Sequence, residues 1–434
     1  MILYRPIAII LFCQNGGQYM DRSNKISLNP AADKPADSRR LLIILLASVA
    51  AIGPLATDMY LPAMPEIVEV FSTTPSMVQL TITTWLLGMA FGQVIAGPLS
   101  DIYGRRTPLI AGLGVLALTM AGCVAAPNIY TLIALRLAGG FAASSALVVS
   151  RAIASDIYRG TMLTKFLATV MIIQGIAPII APVLGGQLLR FSPWEGIFAL
   201  LTVVTAAVLL MAVCKYEESL PAEKRLKGDF KHVLKVFGGL CARPYFASLC
   251  AIQFFVFTSL FAYISGMPFV LQGIYGFTPQ EFSFVFAIVG IGMMIMGKII
   301  GTLTGRISDM KLMYGGLIQG TVFGILFLIG LLLDLNVYVL IAFLLLSEIS
   351  LANIAATSFS LAMRAQKKVA GSASALLGFF SMISGGLIAP VVGIGGGTTA
   401  LPTGIAIAVS EVLALGVYLF ITKKYAPADT KGGR

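Results

Sequence analysis

Four ionisable side chains fall inside long apolar stretches of the sequence, where a charge is costly. They are Asp58, Arg136, Glu348 and Glu411. On insertion scales a charged residue at the centre of a membrane helix costs about 2.5–3.5 kcal/mol, so each of these residues needs a partner or a function. Desolvation favours a neutral carboxyl group that can exchange protons, whereas arginine stays charged in proteins. Asp58, Arg136 and Glu348 are therefore our candidate proton-coupling residues.

Each of these residues also has a structural interpretation. Asp58 precedes Tyr60-Leu61-Pro62 and could cap the turn that ends its helix. Arg136 could be held by backbone carbonyls alone, and Glu348 could form an interhelical hydrogen bond. Glu411, in the last apolar stretch, is analogous to Glu348, but for this residue we favour a structural role.

A short charged turn at residues 97–106 separates two apolar runs and reads Gly-Pro-Leu-Ser-Asp-Ile-Tyr-Gly-Arg-Arg. Gly104 permits a tight turn that brings the two arginines beside the aspartate, and such ion pairs can lock one conformation. The predicted inner-gate charge cluster consists of Asp101, Arg105, Arg106 and Arg151. Positive charge that serves only to fix topology would explain the arginines but not the spacing of the glycines and the aspartate.

The fifth apolar stretch contains a dense group of small and helix-bending residues. The motif consists of Gly175, Pro178, Pro182, Gly185 and Gly186. Pro178, Pro182 and Gly185 are spaced i, i+4 and i+7, so they share one helix face that is both kinked and small. The pattern predicts a face on which a bend can close.

Several enzyme classes are excluded by inspection. The only histidine, His232, lies in a basic segment, which removes HExxH zinc chemistry and any Ser-His-Asp triad. Residues 292–298 match GxxxxGK, but Ile299 replaces the required Ser or Thr and no strand precedes the motif. We therefore expect no enzyme, no metal and no cofactor, with an ion gradient as the energy source.

The composition places these residues in a membrane. Apolar residues make up 58% of the 434, charged residues only 11%, and mean hydropathy is +0.91. A soluble domain has about 25% charged residues, so this chain could not solvate a soluble surface. The sequence predicts an all-α protein with twelve membrane-spanning helices, at about 41–61, 77–99, 108–126, 129–151, 163–188, 194–214, 246–270, 281–303, 312–333, 336–362, 369–393 and 400–422.

The basic residues predict orientation and domain limits. Every Lys and Arg except Arg136 and Arg190 falls on one side of the predicted membrane, which places both termini in the cytoplasm. Because these charges are spread over several loops, they do not indicate nucleic-acid binding. We predict a disordered cytoplasmic tail at 1–39, a six-helix half at 40–214, a cytoplasmic linker at 215–245, a second half at 246–422 and a tail at 423–434.

Weak internal repeats support two related halves. Ala181-Pro182 through Gly185 is echoed by Ala389-Pro390 through Gly393, 208 residues later, and the 97–101 turn recurs weakly at 301–305. Matches at nearly the same offset favour a duplicated unit. Aromatic residues that could line a cavity between the halves include Trp85, Phe91, Phe254, Phe255, Phe257 and Tyr263, although such residues more often face lipid.

Taken together, these motifs resemble those of the major facilitator superfamily and, within it, the Bcr/CflA subfamily of multidrug exporters. The resemblance is carried by residues 58–65, the 97–106 turn, Arg136 with Gly140, residues 151–158 and the Ala-Pro form of the fifth-helix motif. It covers roughly residues 40–425, with the specific motifs in the first half. The subfamily usually has a polar residue where this chain has Gly139.

The resemblance implies a drug/proton antiporter of the bacterial inner membrane that acts as a monomer. Expected substrates are small amphipathic compounds such as bicyclomycin, chloramphenicol or sulfonamides, with protons and the lipid bilayer as the other partners and no nucleic acid. A proton-coupled exporter or uptake symporter of a small metabolite is the alternative on the same fold. A sensor would need an added signalling domain, and a membrane enzyme would need clustered His, Asp or Cys.

Overall fold

The computed structural model describes residues 36–158, 160–225, 237–366, 370–395 and 398–427. Within these ranges the chain forms twelve long helices, as predicted. Their bounds are α1 Ala36–Asp58, α2 Pro75–Tyr103, α3 Arg106–Val124, α4 Ile129–Ile157, α5 Gly160–Leu188, α6 Glu195–Lys215, α7 Pro244–Met267, α8 Pro279–Leu303, α9 Asp309–Leu332, α10 Val337–Ala365, α11 Ala370–Val392 and α12 Leu401–Val417.

Among the described residues, eleven helical segments are long and apolar enough to cross a membrane. The twelfth, α5, contributes a shorter apolar stretch at Ile172–Leu188 within a helix of 29 residues. Helix α1 begins at Ala36 and so takes in the last four residues of the predicted tail at 1–39; the rest of that tail and His232 lie outside the described residues.

Local sequence explains where the helices begin and end. Asn128 accepts a hydrogen bond from the Thr131 amide at 2.9 Å and so caps α4, and Thr278 with Glu281 forms a capping box at the start of α8. Helix α2 ends at Gly104, whose φ of +88° is a conformation that side chains with a Cβ rarely adopt. The predicted need for glycine in this turn is confirmed.

Small residues allow the closest helix contacts. A Cβ on Gly140 of α4 would overlap the backbone of Trp85 on α2, and a Cβ on Gly88 or Gly92 of α2 would overlap the α4 backbone near Phe141. Such close approach is typical of membrane helices, where packing replaces the hydrophobic effect. It fixes α2 and α4 as one rigid pair that carries much of the site described below.

The two ends of the bundle differ in charge. We call the end that holds Gly104 and residues 216–225 the basic end, and the other the opposite end. The first six helices meet the last six at the opposite end, where Gln79 Nε2 donates to the Ser265 carbonyl at 2.8 Å and Gln280 Nε2 donates to the Gly186 carbonyl at 2.6 Å. Toward the basic end, the α-carbons of Gly175 on α5 and of Gly371 on α11 border open space.

Candidate functional site

Arg136 occupies a fully buried cage between aromatic rings. Its side chain has an exposed fraction of 0%, and its guanidinium carbon lies 4.1 Å from the Trp85 ring centroid and 4.4 Å from that of Tyr60. Nη1 donates to the Ala56 carbonyl at 2.8 Å, whereas Nε and Nη2 have no hydrogen-bond acceptor in the described part of the chain. The cation is thus stabilised largely by the faces of the two rings.

Hydrogen bonds from α1 and α2 hold these rings in place. Trp85 Nε1 donates to Thr57 Oγ1 at 2.7 Å, Thr57 in turn donates to the Gly53 carbonyl at 2.8 Å, and the Tyr60 hydroxyl lies 3.0 Å from Thr81 Oγ1. Buried Trp and Tyr need such partners for their polar atoms. The sequence located Arg136 and named Trp85 as an aromatic near the cavity, but it did not indicate that Trp85 and Tyr60 contact Arg136.

Asp58 is the last residue of α1 and is buried, with an exposed fraction of 5%. It is close enough to Arg136 for electrostatic attraction, yet no ion pair joins the two side chains. Within the described ranges its carboxylate also accepts no hydrogen bond from the turn at residues 60–63. The capping interpretation of Asp58 therefore finds no contact in the structure.

Tyr263 of α7 is buried within electrostatic range of the two predicted carboxylates. Its ring stacks on Phe286 with a centroid distance of 5.0 Å, and its hydroxyl interacts electrostatically with both Asp58 and Glu348. The hydroxyl is buried and has no hydrogen-bond partner among the described residues. Asp58, at the end of α1, and Glu348, on α10, thus both act on the same tyrosine.

Glu348 lies near the middle of α10 with an exposed fraction of 2% and accepts a hydrogen bond from Ser259 Oγ of α7 at 3.2 Å. This is the interhelical hydrogen bond that we considered for it. Glu411 of α12, for which we favour a structural role, is equally buried at 2% and interacts with Glu348. Within the described residues, no group of three or more His, Cys, Asp or Glu side chains could hold a metal ion.

At the basic end, Arg105 holds the predicted charge cluster together. Its Nη1 lies 2.6 Å from Asp101 Oδ1 and 2.6 Å from Ser100 Oγ, and its Nε lies 2.8 Å from Asp156 Oδ2. Burial lowers the pKa of Arg105, but the hydrogen bonds and the charges of Asp156 and Asp101 outweigh burial and raise it. Asp156 belongs to the 151–158 motif, but the sequence alone does not indicate that it pairs with Arg105.

Glu218, which follows α6, completes this cluster. Its carboxylate accepts hydrogen bonds from the backbone amides of Arg105 at 2.8 Å and Arg106 at 3.0 Å, at the start of α3. A carboxylate at a helix N-terminus satisfies free amides and the helix dipole. Burial raises the pKa of Glu218, but the bonds from the amides of Leu220, Arg105 and Arg106 outweigh it and lower the pKa.

The other two members of the predicted cluster differ in position. Arg106 joins it through its amide, while its Nη2 donates to the Val213 carbonyl at 3.0 Å. Arg151 lies apart, because it is a full helical turn before Asp156 on α4 and its Nη2 donates to Gln174 of α5 at 3.0 Å. The structure therefore brings Asp101, Arg105 and the Arg106 backbone together, but not Arg151.

The α5 motif contacts both groups of helices. A Cβ on Gly185 would overlap the Met59 carbonyl at the end of α1, next to Asp58. On the other side, the Pro182 carbonyl accepts a hydrogen bond from Ser283 of α8 at 2.8 Å, and Gly186 lies against the same serine. Pro178 and Pro182 are both inside the helix. Gly175 is the motif member that borders open space.

Comparison with known proteins agrees with this architecture. Residues 46–390 match the family model of the Major Facilitator Superfamily. The chain is 37% identical to an uncharacterized MFS-type transporter, YdgK, of Bacillus subtilis (strain 168), over 90% of this chain and 98% of the relative. It is 25% identical to a bicyclomycin resistance protein homolog of Haemophilus influenzae, over 88% and 96% of the two chains.

Solved structures show the same fold. A crystal structure of a D-xylose-proton symporter superposes with a TM-score of 0.72 at 12% sequence identity, over 91% of this chain and 99% of the other. The predicted twelve-helix all-α membrane fold and the resemblance to drug-resistance transporters are thus confirmed. The chain belongs to the Major Facilitator Superfamily, a family of membrane transporters rather than enzymes.

Proposed function

We propose that this protein is a proton-coupled exporter of small amphipathic drugs, which works in the bacterial inner membrane with both termini in the cytoplasm. The relative named as a bicyclomycin resistance protein homolog supports the substrate class. The observation that carries the proposal is the buried group formed by Asp58, Tyr263 and the caged Arg136. Its carboxylate is near a fixed cation without being paired to it.

This geometry suits a carboxyl group that must gain and lose a proton. A direct ion pair with Arg136 would hold Asp58 in its charged form, whereas full separation would leave the charged form without compensation. Because Asp58 is near Arg136 without being paired to it, both its charged and its protonated forms are accessible. Because Arg136 keeps its charge throughout, proton uptake changes the net charge of the site through Asp58 alone.

The contacts between the two groups of helices support alternating access. The hydrogen bonds between them lie at the opposite end, and packing contacts continue along α2 and α11 as far as the ring pair of Phe91 and Phe379. In the proposal, this conformation is the one closed on the outer side and open toward the cytoplasm. In the proposed cycle, drug enters between the two six-helix units from the cytoplasm and a proton leaves Asp58. After the units rock, Asp58 takes up a proton from outside and the drug is released.

The test is drug accumulation in cells that lack their own exporters. Cells that produce the intact protein should accumulate less chloramphenicol than cells without it, and both a protonophore and Asp58→Asn should abolish the difference. The energy source is then the proton gradient, with no bound cofactor. Unchanged accumulation with a well-produced protein would exclude chloramphenicol export, and increased accumulation would favour an uptake symporter.

A further inference from the structure

The last six helices contain a second buried acidic pair, formed by Glu348 on α10 and Glu411 on α12. Both side chains are 2% exposed, and the two carboxyl groups interact electrostatically. Ser259 of α7 lies between them. Two carboxylates at close range in an apolar environment cannot both stay ionised without a nearby cation.

No cation is described beside this pair. The described ion pairs of the last six helices include no Lys or Arg bound to either glutamate. From α7, the titratable group that faces the pair is Tyr263. Helix α11 has no titratable side chain, α9 carries Asp309, Lys311 and Tyr314 only in its first turns, and α8 carries Glu281 and Lys298 at exposed positions.

Ser259 limits how a proton can be placed on this acidic pair. A hydroxyl donates one hydrogen bond, and Ser259 Oγ is 3.2 Å from Glu348 Oε1, to which it donates. Ser259 is also within hydrogen-bonding reach of Glu411. Since Ser259 has one proton to donate, it can donate to only one of the two glutamates and must accept from the other, so one member of the pair is protonated. We place that proton on Glu411, whose Oε2 has no other partner among the described residues.

A second observation points to the same spot. Glu411 Oε2 and Ser350 Oγ are buried polar atoms without a hydrogen-bond partner in the described chain. Both converge on Gly320 of α9, where an added Cβ would lie 2.5 Å from Glu411 Oε2 and 2.7 Å from Ser350 Oγ. The missing side chain at Gly320 leaves the room in which these two polar atoms face each other.

We propose that Glu348, Ser259 and Glu411 form a second proton site, separate from Asp58, which is loaded and emptied in the transport cycle. In the transfer, the O–H bond of Glu411 breaks as its proton passes to Ser259 Oγ, and the original Ser259 proton passes to Glu348. Total charge and proton number are unchanged until a proton leaves to water. The proposal rests on the proton-coupled function proposed above, and it implies that each cycle moves protons through both groups of helices.

The first test needs no drug. Infrared difference spectra of the purified, detergent-solubilised protein between acid and alkaline pH report the carbonyl stretch of protonated carboxyl groups. Glu348→Gln and Glu411→Gln should each remove or shift the same band, and the double variant should remove no further band, because the pair titrates as a unit. Asp58→Asn should affect a different band. A spectrum that Glu411→Gln leaves unchanged would overturn the proposal.

The second test counts protons. Addition of chloramphenicol to the unbuffered protein with a pH dye should release about two protons per bound drug from the intact protein and about one from Glu411→Gln. Ser259→Ala should resemble Glu411→Gln. The control is Ser384→Ala, which changes a buried serine whose described hydrogen bond goes to the Ser381 carbonyl, and it should resemble the intact protein. Equal release from the intact protein and Glu411→Gln would contradict the proposal.

The two tests distinguish a failure of the proposed drug export from a failure of the second proton site. If the intact protein neither binds the drug nor releases protons but the shared infrared band is present, the proposed drug export is wrong and the acidic pair stands. If sodium ions displace the proton from the band in the intact protein and not in Glu411→Gln, the pair is a sodium site and the proton assignment is overturned.

Discussion

Asp309 and Arg364 form an ion pair of 3.1 Å at the basic end of the last six helices. Asp309 comes 204 residues after Arg105, and Arg364 comes 208 residues after Asp156. These are the offsets of the weak sequence repeats, and Arg105 and Asp156 are themselves paired at 2.8 Å. The second group of helices thus contains the same ion pair with the two charges exchanged. A comparison of residue identities between the two halves does not reveal this relationship, because the residues at both positions carry opposite charges in the two halves.

Because the pair occurs in both arrangements, we predict that the acidic and basic residues at positions 309 and 364 can be exchanged. Asp309→Arg alone would place two cations together and should reduce protein abundance and export several-fold. Adding Arg364→Asp recreates the arrangement of Arg105 and Asp156, so export should recover to near the original level, as measured by drug accumulation and membrane abundance. Failure of the double variant to recover would show that Ser360, which donates to Asp309 at 2.9 Å, requires the acid there.

The Arg105 cluster predicts a specific pattern of coupling. Asp101 and Asp156 contact the same guanidinium, so the effects of Asp101→Asn and Asp156→Asn on export should be less than additive. Arg151 contacts Gln174 instead, so Arg151→Gln should add fully to either change. Drug accumulation in the three single and three double variants measures this. Strong coupling of Arg151 to Asp101 would support the cluster as predicted from the sequence.

The aromatic cage predicts that charge alone is not enough at position 136. Arg136→Lys keeps the cation but loses the flat group that lies against Trp85 and Tyr60. Desolvated contacts of this kind contribute about 2 kcal/mol, so we expect export to fall by more than ten-fold. Trp85→Phe keeps a ring and loses the bond to Thr57, and should cost less. Full export by Arg136→Lys at normal abundance would contradict the cage.

Two glycines provide a matched test of the α2–α4 contact. Gly140→Ala would force a methyl group into the Trp85 backbone, whereas Gly114 of α3 has no neighbour within 4 Å. Overpacking costs about 1–3 kcal/mol, so the thermal unfolding temperature of purified Gly140→Ala should fall by several degrees while that of Gly114→Ala stays unchanged. Equal unfolding temperatures would mean that α2 and α4 can move apart freely.

Glu218 predicts a pH dependence of stability. Because its pKa is lowered in the folded protein, its stabilisation is complete above the unfolded value of about 4.3 and is lost as pH falls through the lower folded value. Thermal unfolding of the purified protein and of Glu218→Gln should therefore differ at neutral pH and converge in acid. Glu223→Gln, in the same exposed segment, is the control and should show no such difference. A constant gap between the curves would exclude this carboxylate as the cause.

Sequence patterns predict the helices and locate the isolated charges, but they do not identify the residues that contact those charges. The length and apolar character of each run predict a spanning helix regardless of tertiary contacts. Arg136 stands out because nothing near it in sequence compensates its charge, but Trp85 reaches it from α2 and Tyr60 from the turn after α1. The burial of Glu411 and its interaction with Glu348 could not be predicted, because helix order along the chain does not give the direction in which a side chain faces. No sequence pattern predicts the role of Glu218, since its partners are the backbone amides of Arg105 and Arg106.

Among the described residues, the hydrogen bonds that join the two groups of helices at the opposite end are made by neutral groups. Gln79 and Gln280 donate to backbone carbonyls, and Ser283 joins them. Dissolved ions screen interactions between charges and have little effect on short bonds between amides and carbonyls. In the proposed orientation this closure faces media of changing salinity, so the balance between the open and closed forms should depend little on external salt, while the described ion pairs lie at the proposed cytoplasmic end.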